Sequence, residues 1–91
     1  MAKVYIPPTM RSLTDGKEVV EVDGGTVRAV IDNLEARYPG IRDRLCEGDE
    51  LKSGLAVAIG SSLSTMGLYE RVEPDSEIHF LPAISGGQDI R

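Results

Sequence analysis

Ninety-one residues with 41% apolar content are enough for one small folded domain and too apolar for a disordered chain. A net charge of −5 excludes a nucleic-acid surface, which needs a basic stripe, and favours docking to a basic patch on a protein partner. One cysteine and one histidine exclude an internal disulfide and a structural zinc site.

The first element is "AKVYIP". Val4 and Ile6 fall on one face and Lys3 and Tyr5 on the other, the alternation of a half-buried strand. Pro7 and Pro8 end it. In "TDGKEVVEV", Asp15-Gly16 signals a turn, and Val20 and Val22 alternate with Val19 and Glu21. The two strands are expected to pair as an antiparallel hairpin with a long loop.

"TVRAVIDNLEARYPG" carries the helix. Val27, Val30, Ile31, Leu34 and Tyr38 share one helical face, Thr26 is placed to cap the start, and Pro39-Gly40 stops it. "IRDRL" adds a short helical turn with Ile41 and Leu45 inward. "CEGDELKSG" reads as a loop.

"LAVAI" is a strand with Leu55, Val57 and Ile59 on one face and two alanines on the other. A short edge strand is expected near Ser64 to Met66, then a turn at "EPDSE". "IHFL" is the last strand: Ile78 and Phe80 face one way, His79 and Leu81 the other. One amphipathic helix covering one sheet gives a two-layer α+β domain. Its expected core is Ile6, Val20, Val27, Val30, Ile31 and Leu34 with Val57, Ile78 and Phe80. The last strand is expected beside the first, in the sheet centre, so that Gly86-Gly87 leaves the domain from a rigid base.

No apolar run approaches the ~18 residues of a membrane span, and the N-terminus lacks a signal-peptide core. The expectation is a cytoplasmic, monomeric protein without membrane or nucleic-acid partners. No catalytic pairing or metal-ligand cluster stands out, so no cofactor and no enzymatic activity are expected. Cys46 reads as a small apolar residue, because a reactive thiol wants a basic neighbourhood and "DRLCEGDE" is largely acidic. His79 reads as a solvated surface histidine. "DGGT" reads as a turn and helix cap rather than a phosphate site, since Asp23 repels phosphate and no lysine follows.

The hairpin, the helix "TVRAVIDNLEARYPGI" and the ending "IHFLPAISGG" resemble the ubiquitin-like β-grasp sulfur carriers of the ThiS/MoaD family over residues 2–87. "KVYIPPTMRSLTDGKE" and the helix are most similar to the CysO-type carriers of cysteine biosynthesis. The resemblance implies a β-grasp domain over residues 1–85, with a mixed four- to five-stranded sheet covered on one face by one main helix, and a flexible tail over 86–91. It implies a chemistry too. An ATP-using, E1-like adenylating enzyme activates the carboxylate of Gly87, and sulfur replaces AMP to give a thiocarboxylate. Ser85 and Gly86 are then the tail-recognition residues, and the glycines suit the activating site because only a backbone without Cβ tolerates such close approach. Further implied partners are a sulfur-acceptor synthase, like a cysteine synthase or a molybdopterin synthase large subunit, and a JAMM-type metallopeptidase. That peptidase would act at Gly87–Gln88, since "QDIR" follows Gly87 and an amide carbonyl cannot be adenylated as a carboxylate can.

Leu81 and Leu63 are expected to form an apolar docking patch on the uncovered sheet face, where family members meet their activating enzymes. The alternative to cysteine biosynthesis is molybdopterin or thiamine biosynthesis. The alternatives to a carrier are a protein modifier conjugated through Gly87, or a β-grasp binding module that is never activated.

Overall fold

A computed structural model describes residues 1–82 of the chain. Strand β1 (Ala2–Tyr5) is followed by a 3-10 segment, Pro8–Thr14, and by β2 (Val19–Val22). Helix α1 (Val27–Arg37) and the short α2 (Ile41–Leu45) come next. Then come β3 (Cys46–Glu47), β4 (Glu50–Leu51), β5 (Leu55–Ile59), β6 (Ser62–Leu63), a 3-10 turn at Gly67–Tyr69 and β7 (Glu77–Pro82). The main sheet runs β2-β1-β7-β5-β6, with β1 and β7 parallel and the other pairs antiparallel. This is the mixed, five-stranded β-grasp arrangement, with α1 against one face.

The helix forms as its period demands. Val27, Val30, Ile31 and Leu34 are fully buried and Tyr38 nearly so. Thr26 is extended, and its Oγ1 accepts from Ala29 N–H at 3.1 Å, satisfying one of the orphan donors of the first turn. Gly24 lets the helix start pack against the preceding turn. Its φ is +153°, and a Cβ there would lie 2.6 Å from Val30 Cγ2 and 2.7 Å from Val30 N. Arg37 Nη1 donates to Glu21 C=O and Asn33 Nδ2 to Asp23 C=O, both at 2.8 Å, fastening α1 to the outer edge of β2.

All nine expected core residues are buried. Ala2, Val4, Met10, Val22, Leu45, Leu68 and Val72 join them in the same cluster. Burial of this kind, at roughly 25 cal/mol per Å² of apolar surface, is the main favourable contribution to folding.

Three local expectations need correction. "CEGDELKSG" contains a small hairpin rather than only loop, with Cys46 opposite Leu51 and Glu47 opposite Glu50 around Gly48, whose φ is +64°. The edge strand is Ser62–Leu63 rather than Ser64–Met66, because Ser64 Oγ turns to Glu70 Oε1 at 2.6 Å and draws the chain off the sheet. The long loop between β1 and β2 is a 3-10 segment. Its Thr14 is fully buried, with Oγ1 2.9 Å from Lys17 C=O. The Asp15-Gly16 turn is present, both residues having positive φ and Lys17 N–H donating to Thr14 C=O at 3.0 Å, but it closes the 3-10 segment rather than a tight hairpin.

Candidate functional site

Strand β7 carries the chain toward Gly87 and is the central strand, with β1 on one side and β5 on the other. Its alternation divides the residues cleanly. Ile78 and Phe80 point into the core, at 0% and 6% exposure, while Glu77, His79 and Leu81 lie on the face that α1 leaves uncovered.

Cross-strand partners share a face, so the pairing register fixes rows across this open surface. The first row, at the start of β7, is charged: Glu21, Lys3 and Glu77. The second is Val19, Tyr5, His79, Ala58 and Leu63. The third pairs Leu81 with Ala56. Polarity therefore falls along β7 toward its end. Tyr5 and His79 stack with ring centroids 4.2 Å apart and planes at 15°. His79 is therefore half-buried against a neighbour rather than freely solvated, with Nε2 3.7 Å from Glu77 Oε1.

Leu81 is 39% exposed and Leu63 66%, large values for leucine side chains. Both occupy the open face, as expected, but they do not touch as a pair. Two strand spacings and two residues separate them, about 12 Å between Cα atoms. Ala56 and Ala58 fill the interval, so the surface is a low trough between two apolar walls. Tyr5 and Val19 extend it. Their alternation was legible, but not their place in the same row as His79.

Other candidates lie elsewhere. Cys46 is buried in the core, and that burial pushes its thiol pKa up, with Arg42 acting in the opposite direction. A neutral, enclosed thiol is a poor nucleophile. Asp23 to Thr26 form the turn and cap already described. Ser85, Gly86, Gly87 and Gln88, and the boundary between domain and tail, lie outside the described residues. Among the described residues no group of three His, Cys, Asp or Glu side chains is arranged to hold a metal, and no helix is long and apolar enough to cross a membrane.

The ThiS family pattern matches residues 4–87. The chain belongs to the ThiS family. It is 32% identical over 89 residues to the sulfur carrier protein CysO of Mycobacterium tuberculosis, covering 92% of this chain and 96% of that one. Among solved structures, the Amycolatopsis orientalis BexX/CysO complex matches with a TM-score of 0.86 and 32% identity, over 96% of this chain and 100% of the matched chain. Mycobacterium tuberculosis CysO matches at 0.83 and 30%, over 91% and 99%. Small archaeal modifier protein 1 from Methanosarcina acetivorans matches at 0.74 and 25%, over 94% and 95%. This ThiS-family member thus shares its fold with carriers and with a modifier, and its curated relatives are sulfur carriers.

Proposed function

We propose that the protein is a sulfur carrier whose working atom is the carbonyl carbon of Gly87. The observation that carries this reading is the placement of β7. A strand hydrogen-bonded on both sides leads toward the Gly-Gly and presents Leu81 on the open face just before it. Family membership and the CysO relatives support it. Four residues separate Pro82 from Gly87, so a fully extended chain would span at most about 18 Å between them. That is long enough to enter a narrow site while the trough of Leu81, Ala56, Ala58 and Leu63 stays against the enzyme's surface.

The chemistry follows from the functional group. A glycine carboxylate is a poor electrophile. Its oxygen attacks the α-phosphate of ATP, pyrophosphate leaves, and the product is an acyl-adenylate. A sulfur nucleophile then attacks the carbonyl carbon and AMP departs, leaving a thiocarboxylate. No side chain of the carrier takes part, and ATP belongs to the E1-like activating partner. Gly87 must first be freed from Gln88 by hydrolysis of their amide, the step assigned to a JAMM-type metallopeptidase. Cysteine biosynthesis is the proposed pathway, with a cysteine synthase-like enzyme as acceptor, by likeness to the CysO carriers.

The test compares the chain running to Arg91 with one truncated after Gly87, each given the cognate activating enzyme, ATP and sulfide. Only the truncated form is expected to release pyrophosphate and to gain one sulfur for one oxygen in intact mass. Equal activation of both forms overturns Gly87 as the site. The modifier reading, which the archaeal fold neighbour keeps in view, predicts lysines of other cellular proteins joined by an isopeptide bond to Gly87, seen after trypsin as a branch running from Val72 to Gly87.

A further inference from the structure

The outer edge of β5 is covered for only part of its length. β6 pairs with it at Ala58 and Ile59, and one more bond runs from Ser64 N–H to Val57 C=O at 2.9 Å. There the chain departs. Ser64 Oγ donates to Glu70 Oε1 and accepts from Met66 N–H at 3.0 Å, holding the following residues away from the strand.

Parity fixes what remains on that edge. Gly60 N–H donates to Glu77 C=O at 2.7 Å across the β5–β7 ladder, so Ala56 and Ala58 turn their backbone groups toward β7, and Leu55 and Val57 turn theirs outward. Leu55 N–H is used by Lys52 C=O at 3.0 Å, and Val57 C=O by Ser64. Among the described residues, Leu55 C=O and Val57 N–H are left, flanking Ala56. An acceptor one residue before and a donor one residue after is the pattern that one residue of a parallel strand satisfies.

Beside this pair lies a groove. Leu51 and Leu55 are half-buried in it, Leu68 is buried, and Met66 and Tyr69 are 57% and 60% exposed. Asp49 and Glu50, both exposed, stand on its rim, where Arg28 lies 3.7 Å from Asp49. The opposite sheet edge differs, since α1 side chains already occupy the Glu21 and Asp23 carbonyls of β2 and its following turn.

We propose that the Leu55–Val57 edge binds an extended segment of a partner protein as a strand parallel to β5. The segment is apolar at alternate positions, which enter the groove, and carries lysine or arginine where it meets Asp49 and Glu50. Strand addition draws affinity from main-chain bonds and specificity from alternate side chains. The acidic rim and the net charge of −5 select a basic segment over a second copy of this chain. This site is separate from the Leu81 trough and does not depend on tail chemistry.

The test uses the full chain, labelled with nitrogen-15, and two synthetic peptides: acetyl-Lys-Val-Thr-Val-Lys-amide and its counterpart with glutamate for lysine. At millimolar concentration the basic peptide is expected to shift the amides of Leu51, Leu55 to Val57 and Met66 to Tyr69, and to slow hydrogen exchange at Val57. Glu50→Lys, a surface change that leaves the fold intact, should weaken binding about threefold or more. Shifts centred on Tyr5, His79 and Leu81, equal binding of the acidic peptide, or no shifts with either peptide overturn the proposal. Concentration-dependent sedimentation with the same amides shifting on dilution assigns the edge to a second copy, and overturns it as well. Activation at Gly87 is measured separately, so either reading can fail without the other.

Discussion

Leu81 sits where two requirements meet. It must pair with Ala56 to hold the end of β7, and that pairing uses only its backbone. The side chain is therefore free to serve a partner. Leu81→Glu is expected to leave thermal unfolding nearly unchanged while reducing adenylation of the Gly87-truncated protein about tenfold, because a carboxylate would be desolvated at an apolar contact. Unchanged adenylation kinetics in the folded variant would remove Leu81 from the docking surface. The face of Leu81 was legible from alternation, while that of Leu63 follows from its pairing with Ala58. Their separation was not, since alternation assigns a face but never counts the strands lying between two residues.

Among the elements, the elbow between α1 and α2 depends on one carboxylate. Glu35 accepts from Gly40 N–H at 3.0 Å and from Arg42 N–H at 2.8 Å, joining the last turn of one helix to the first of the next. Those bonds to Arg42 and Gly40 hold its pKa below the usual value. A depressed folded-state pKa means that the contribution is present above the unfolded pKa and is lost as pH falls through the folded one. Stability should therefore decline on acidification through the lower carboxylate range, and Glu35→Gln should flatten that decline in urea titrations at several pH values. An unaltered pH profile in the variant would show that the elbow does not need the charge.

The apolar stripe of α1 was readable because five residues repeat at helical spacing and a cap and a Pro-Gly mark its ends. The 3-10 segment Pro8–Thr14 had no such signal. It is held by contacts that leave no period in the sequence: Arg11 Nε donates locally to Ile6 C=O at 3.0 Å, the distant Arg44 Nη2 donates to Thr9 C=O at 3.1 Å, and Met10 is buried in the core. The two-residue strands β3, β4 and β6 are likewise too short to show a period, and pairing rather than local preference defines them.

For the whole molecule, the single core between α1 and the sheet makes stability a collective property. Leu34 is fully enclosed and Phe80 is 6% exposed. Replacing either with alanine should lower unfolding free energy by about 2–5 kcal/mol, read from the denaturant midpoint. In a chain this small that is a large share of the total, so the variants should lose tail activation through unfolding rather than through docking. A variant that keeps the parent midpoint would contradict the two-layer core.

The parallel register of β1 with β7, Lys3 to Glu77 through Tyr5 to His79, also sets how the protein bears load. β1 begins at the end of the sheet where β7 begins, so a pull on the chain before β1 and on the chain after β7 acts in opposite directions along neighbouring strands. Their hydrogen bonds lie across that direction and must shear together rather than open one at a time. An enzyme that grips the tail and draws it inward thus works against the sheet's strongest axis. Pulling single molecules from residues 1 and 87 should give a markedly higher rupture force than pulling from residues 1 and 23, where Ala2 lies opposite Val22 and the β1–β2 hairpin opens from one end like a zip.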